Sequence, residues 1–186
     1  MKKVLSILLS VLLVCGLAFT FFACRTSAIW QSQNQETSNT SSEVGEVNGS
    51  EKYIVYAALD GSGNLIANGS ATETAAYAVV GYTGLVAELT IPAEYDGKQV
   101  TKVLVATPYS SYKCYMDGAA YTGDDARLAN NTVVRSIVFG ANVSFVGAGV
   151  CAEMINLTSV RFVKAAANVT HTNAFLGISP TITYGD

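Results

Sequence analysis

Tyr109, Tyr112, Tyr115 and Tyr121 crowd the stretch between Pro108 and Arg127. A tyrosine joins a broad apolar face to a polar tip, so such a group either anchors an external protein or glycan or packs onto the domain that carries it. Thr107 followed by Pro108 suits the N-cap and first residue of a helix. On that helix a spacing of three would set Tyr109, Tyr112 and Tyr115 along one slowly drifting stripe. Carboxylates are the other groups able to do chemistry. Asp124-Asp125 with Glu153 or Asp117 would serve glycoside hydrolysis only if two carboxyls stood about 5–10 Å apart across a cleft. Sequence fixes no such separation, and an Asp pair at a helix start has a capping role of its own, so no catalytic residue is expected.

Metal chemistry is equally thin. Asp60-Gly-Ser-Gly-Asn64 opens like a calcium loop, yet its twelfth position is Ala71 rather than a bidentate Glu, and the segment reads as a hairpin turn. His171 is the only histidine, which excludes every site built on two; beside Thr170 and Thr172 it reads as a solvated turn residue. No metal or cofactor is expected. Cys114 and Cys151 either form one disulfide or remain thiols.

These residues need a scaffold, and the chain offers mostly strands. At 186 residues it holds one ordinary domain plus an appendage, and a hydrophobic fraction of 50% excludes a disordered polymer. Helical amphipathic periods are scarce, whereas short β-branched and aromatic runs alternate with Gly, Asn and Asp. The predicted strands are Tyr53–Leu59, Ala75–Tyr82, Val86–Ile91, Val100–Ala106, Thr132–Phe139 and Thr158–Val163. Turns fall at Asp60–Asn64, Gly81–Gly84 and Asp96-Gly97. Thr107 to Asn131 breaks this rhythm, with Asp124–Ala129 able to make a further turn of helix. A net charge of −3 without any Lys/Arg cluster argues against a nucleic-acid partner.

The N-terminus carries its own signal. Lys2 and Lys3 precede a charge-free apolar run over 4–23, at the length limit between a cleaved export signal and a membrane span. Cys24 follows directly, and the arrangement is similar to the signal of bacterial lipoproteins, which would make Cys24 the lipid-attachment residue. An uncleaved anchor helix and cleavage near Ala28 are the alternatives. All three place the rest of the chain outside the cytoplasmic membrane. Residues 25–50, rich in Ser, Thr, Asn, Gln and Glu, read as a disordered tether.

A fixed repeat period would signal a stacked array. Ser136-Ile-Val-Phe139 and Ser159-Val-Arg-Phe162 share one pattern 23 residues apart, each followed by an Asn-Val-Ser/Thr triplet, at Asn142 and Asn168. Each copy would lay down one strand and turn back under it, setting parallel strands side by side. The triplets, like Asn156-Leu-Thr, match glycosylation acceptors but read as turns.

At these residues the sequence resembles the BspA-type leucine-rich repeats of bacterial surface proteins. Val143, Val146 and Gly147, then Val150-Cys151, Met154 and Leu157-Thr-Ser-Val160 follow that consensus. Val169, Ala174-Phe175 and Thr181–Gly185 continue it, while 77–84, 89–92 and 95–101 are similar to the segment that opens such arrays. The resemblance implies a mainly β fold: a short right-handed parallel β-solenoid of leucine-rich-repeat type, preceded by the signal or anchor helix (1–24) and the tether (25–50). Within 51–186, residues 51–101 would form an N-terminal β cap, 102–131 an irregular insert and 132–186 the repeats. Ile137, Phe139, Val143, Val146, Leu157, Val160, Phe162 and Phe175 would make the repeat core. Arg135, Val138, Ser159 and Arg161, with the four tyrosines, would face partners. The implied role is adhesion or recognition of an extracellular protein or glycan at the bacterial membrane, without catalysis. The alternative is a structural role, with chains self-associating through solenoid ends or edges.

Overall fold

The run Ile54–Leu59 (β1) is apolar at every position and buried at every position, which demands cover on both faces of its sheet. The structure, a computed structural model describing residues 49–185, supplies that cover on both sides. Because side chains alternate along a strand, Ile54, Tyr56 and Ala58 enter one core cluster and Val55, Ala57 and Leu59 another. Ala76–Tyr82 (β2) pairs antiparallel with β1 and divides the same way: Tyr77 and Val79 face the first cluster, Ala78 and Val80 the second.

Around these two strands a mixed sheet assembles. Glu88–Ile91 (β3) belongs elsewhere, but Glu94–Tyr95 (β4) and Lys98–Val103 (β5) form a hairpin, and β5 lies parallel to β2. Cys114–Met116 (β6) pairs antiparallel with β1 and turns into Ala119–Ala120 (β7). Among the described residues the order is β4-β5-β2-β1-β6-β7, with Phe145–Val146 (β9) parallel to β5 off that path. The other sheet contains β3, Ser136–Phe139 (β8), Ser159–Phe162 (β10) and Thr181–Tyr184 (β11), in the order β11-β10-β8-β3, all parallel and in register. Leu89, Ile137, Val160 and Ile182 make one inward row; Ile91, Phe139, Phe162 and Tyr184 make the next. Both rows join the cluster that also takes Tyr56 and Tyr77, so one core serves both sheets. Phe162 stacks on Phe139 at 4.6 Å and on Tyr184 at 5.5 Å, and Tyr184 hydrogen-bonds His171 Nε2 at 2.6 Å.

The chain is mainly β, but the expected leucine-rich-repeat-type parallel solenoid is not what it builds. The pairs β1–β2, β1–β6, β6–β7 and β4–β5 are antiparallel, and the larger sheet is mixed. The Ser136–Phe139 and Ser159–Phe162 segments do lie in parallel. Their neighbour on one side, however, is β3 from residues read as a cap, and no coil-upon-coil stack follows. The physical reason lies in β1 and β2: strands apolar on both faces cannot end a stack and must sit inside a sheet. The two sheets draw together the stretches read as cap, insert and repeats.

Other expectations also change. Instead of a helix beginning at Pro108, Tyr109–Ser111 forms a single 3₁₀ turn and the chain then enters β6; residues 124–129 form no helix. Ser50, placed in the tether, is buried, and its hydroxyl lies 3.4 Å from both Thr90 N and Thr90 O on β3. Among the described residues no helix is long and apolar enough to cross a membrane; the anchor helix read at 1–24, Cys24 and the tether to residue 48 lie outside the described residues.

Cys114 and Cys151 are free and buried. Burial pushes the Cys114 thiol up to about 11 and the Cys151 thiol up to about 12, so both stay protonated at neutral pH, where thiolate is the reactive form. Native protein at pH 8 treated with iodoacetamide should therefore show neither cysteine alkylated on peptide mapping, and both alkylated once urea is added. Labelling of native Cys151 would contradict its burial.

Candidate functional site

The insert tyrosines divide between two tasks. Tyr109 is 1% exposed and its hydroxyl donates to Val80 O at 3.2 Å. Tyr121 packs edge-on against it at 5.5 Å and donates to Asp125 Oδ1 at 2.9 Å. Together with Ala126 and the half-buried Tyr112 they cover the second face of β1 and β2. For Tyr109 this corrects the expectation of a partner contact: the irregular insert exists because that sheet face is apolar. Burial raises the pKa of Tyr109, and burial with the Asp125 carboxylate pushes Tyr121 up to about 12.

Tyr115 goes the other way. It lies directly across from Tyr56 on the opposite face and packs against the main core where that core reaches the surface. Here two hairpins meet. Asp96-Gly97 joins β4 to β5, and Asp117-Gly118 joins β6 to β7; all four residues have positive φ, the two-residue turn that Asp-Gly favours. The Gly118 N–H donates to the Tyr95 hydroxyl at 3.1 Å, bracing one hairpin against the other. Tyr95 stacks on Tyr56 at 3.8 Å with ring planes 8° apart, Tyr77 meets Tyr95 edge-on at 5.0 Å, and Tyr77 meets Tyr115 edge-on at 6.2 Å.

This tyrosine cluster borders an open cleft of about 580 Å³, lined by Glu73, Thr74, Tyr77, Tyr95, Asp96, Lys98, Tyr115 and Gly118. That volume lies within the range of about 300–1,000 Å³ common for ligand sites. Aromatic rings supply apolar faces; Glu73, Asp96, Lys98 and Thr74 supply hydrogen-bonding groups around them. Burial, and then the Asp96 carboxylate, pushes the Tyr77 phenol up to about 12, so its hydroxyl remains protonated at any physiological pH. Tyr56 lies behind the cleft, its phenol raised further by burial, and its hydroxyl is buried without a hydrogen-bond partner among the described residues.

Of the candidate site residues read from the sequence only Tyr115 lines this cleft, joined by Asp96 of the predicted Asp96-Gly97 turn. Arg135 is exposed just before β8, and Arg161 and Ser159 are exposed on the outward face of β10 beside the half-buried Val138. Ile137, Phe139, Val143, Val146, Leu157, Val160 and Phe162 are buried and Phe175 is half-buried against the main core. Asp60 closes its turn by accepting from Ser62 N at 2.9 Å and Asn64 N at 2.8 Å, which holds its carboxyl below the usual range, the Asn64 N–H contributing most. Among the described residues no group of three or more His, Cys, Asp or Glu is placed to hold a metal ion. Asn142 and Asn156 act as turn residues, their side-chain amides donating to Ala93 O and Thr132 O. The cleft's other members had one legible signal: a second Asp-Gly pair, 117–118, flanked by Tyr115 and Tyr121 in the manner of a hairpin.

No family model, curated protein or solved structure matches the chain.

Proposed function

We propose that this domain is an extracellular carbohydrate-recognition module whose binding site is the tyrosine cleft between the two Asp-Gly hairpins. The observation that carries the reading is the pairing of half-buried tyrosine rings with carboxylates, an ammonium and hydroxyls around one open cleft. Sugar rings present apolar C–H faces and a girdle of hydroxyls. Tyr95 and Tyr115 offer surfaces for the first, while Glu73, Asp96, Lys98 and the Tyr77 hydroxyl offer partners for the second. The braced hairpins hold this arrangement before a ligand arrives, which lowers the ordering cost of binding. Export beyond the cytoplasmic membrane is supported by Lys2, Lys3, the apolar run and Cys24. Membrane attachment would raise the local concentration of binding sites at the surface.

The test is isothermal titration calorimetry of the full chain in a neutral detergent with cellotetraose and with an N-acetylglucosamine tetramer. At least one should bind saturably, and Tyr115→Ala should weaken it about tenfold, near 1.4 kcal/mol, as for a moderate hot-spot aromatic. Tyr115 is only half-buried, so an unchanged far-ultraviolet circular dichroism spectrum is expected of the variant. Absence of saturable heat with every sugar would defeat the reading.

One observation favours the alternative of self-assembly. Among the described residues β11 ends the parallel sheet's strand order and leaves an edge, whereas at the other end the Ser50 hydroxyl meets the Thr90 backbone of β3. Light scattering after size exclusion separates the two: a monomer that binds sugar supports recognition, and an oligomer without sugar binding supports assembly.

A further inference from the structure

We propose that the cleft selects sugars bearing a free ammonium group, so that its ligand is an amino-sugar polymer with unacetylated residues; this rests on the carbohydrate reading above. The cleft's charges are unbalanced toward the negative. Asp96 enters from the tip of the β4–β5 hairpin and Glu73 from the loop between β1 and β2, with Lys98 the one cation among the described lining residues. Lys98 is the cross-strand neighbour of Tyr95, which places it on the same hairpin as Asp96. Burial raises the Tyr77 phenol, and the nearby Asp96 carboxylate raises it further.

The rings add to this preference. Tyrosine faces carry negative quadrupole density and attract an ammonium held over them. Glu73 and Asp96 are exposed, so their attraction for that ammonium is that of surface charges and is sensitive to salt. N-acetylation removes the charge and leaves the sugar's stacking face unchanged. A uronic acid reverses the charge and would face Glu73 and Asp96 as a like-charged group. Selection among sugars of similar shape therefore falls to the acidic pair, and affinity common to all of them falls to the tyrosines.

The experiment titrates the full chain in neutral detergent with tetramers of glucosamine, N-acetylglucosamine and galacturonate. Glucosamine tetramer is expected to bind about tenfold tighter than the N-acetylated tetramer at low salt. That gap should close at about 1 M salt, where charges are screened beyond about 3 Å. Asp96→Asn should cut the gap to about threefold or less, because the glucosamine tetramer loses more affinity than the N-acetylated one; Asn tolerates the positive φ of this turn position as Asp does. Equal or tighter binding of the N-acetylated tetramer, or a gap unaffected by Asp96→Asn, overturns ammonium selection while the carbohydrate reading stands. Tighter binding of galacturonate overturns it in the same way. A lysine tetrapeptide binding as tightly as glucosamine tetramer also overturns it, since an ammonium alone would then suffice. Binding of none of the sugars removes both readings together.

Discussion

Phe162→Ala should lower the unfolding free energy by about 3–5 kcal/mol, the usual cost of emptying a phenylalanine site in a core. Phe162 has no exposed surface and sits in the middle of a stacked row, 4.6 Å from Phe139, 5.5 Å from Tyr184 and 5.5 Å from His171. Its removal takes away a large apolar area and all three ring contacts, and the in-register parallel strands on either side leave little room for collapse. Domains are stable by only about 5–15 kcal/mol, so the loss is a large share of the whole. Equilibrium urea unfolding, followed by near-ultraviolet circular dichroism of the tyrosines, reads it as a shift of the midpoint at constant slope. Arg161→Ala is the internal control. Arg161 is the preceding residue on the same strand, exposed on the outer face, and its loss should cost less than about 0.5 kcal/mol. Similar midpoints for the two variants would mean that the faces of β10 have been assigned the wrong way round.

The contrast between these neighbours also marks what could be read from sequence. Alternation in Ser-Ile-Val-Phe and Ser-Val-Arg-Phe reveals strands and their buried faces, because period two is a local property. The six predicted strands all overlap observed ones, and a shared pattern placed β8 beside β10 correctly. Partnership beyond that pair is not local. β8 reaches back to β3, and β1 reaches forward over β2 to β5 to meet β6 inside the insert; no short-range pattern encodes either choice. The solenoid expectation extended one correct parallel pairing into a rule for the domain. The unbroken apolar run Ile54–Leu59 was the available warning, since a strand apolar on both sides calls for layers above and below it. The cleft was harder to see. Tyr77, Tyr95 and Tyr115 come from three separated segments, and their convergence follows from sheet order rather than from spacing. Tyr109 shows the reverse error: it is close in sequence to Tyr115 yet serves the opposite face.

Gly81→Ala should destabilise the domain by about 3 kcal/mol or more, at the upper end for overpacking. At many glycines the same change stabilises by about 0.4–1 kcal/mol because the unfolded chain loses freedom. Here the sign reverses for a steric reason. A methyl group at residue 81 would lie 1.9 Å from Ala126 O, and that oxygen belongs to the backbone of a buried residue. The adjacent Tyr82 N–H donates to the same carbonyl, so relieving the clash means breaking the bond that fastens residue 126 to β2. Trimming the neighbour to Ala126→Gly should not rescue the variant, because the obstructing atom is not in the side chain. If the domain remains folded, hydrogen exchange should show the insert loosened at Tyr82 and Tyr121, whose N–H groups bond Ala126 O and Cys114 O. On the carbohydrate reading proposed above, sugar binding should weaken much less, since Tyr77 and Tyr115 line the cleft from the other face of the sheet. A variant as stable as the parent would show that residues 121–131 do not pack on β2, and the cover over the second core would have to be assigned afresh.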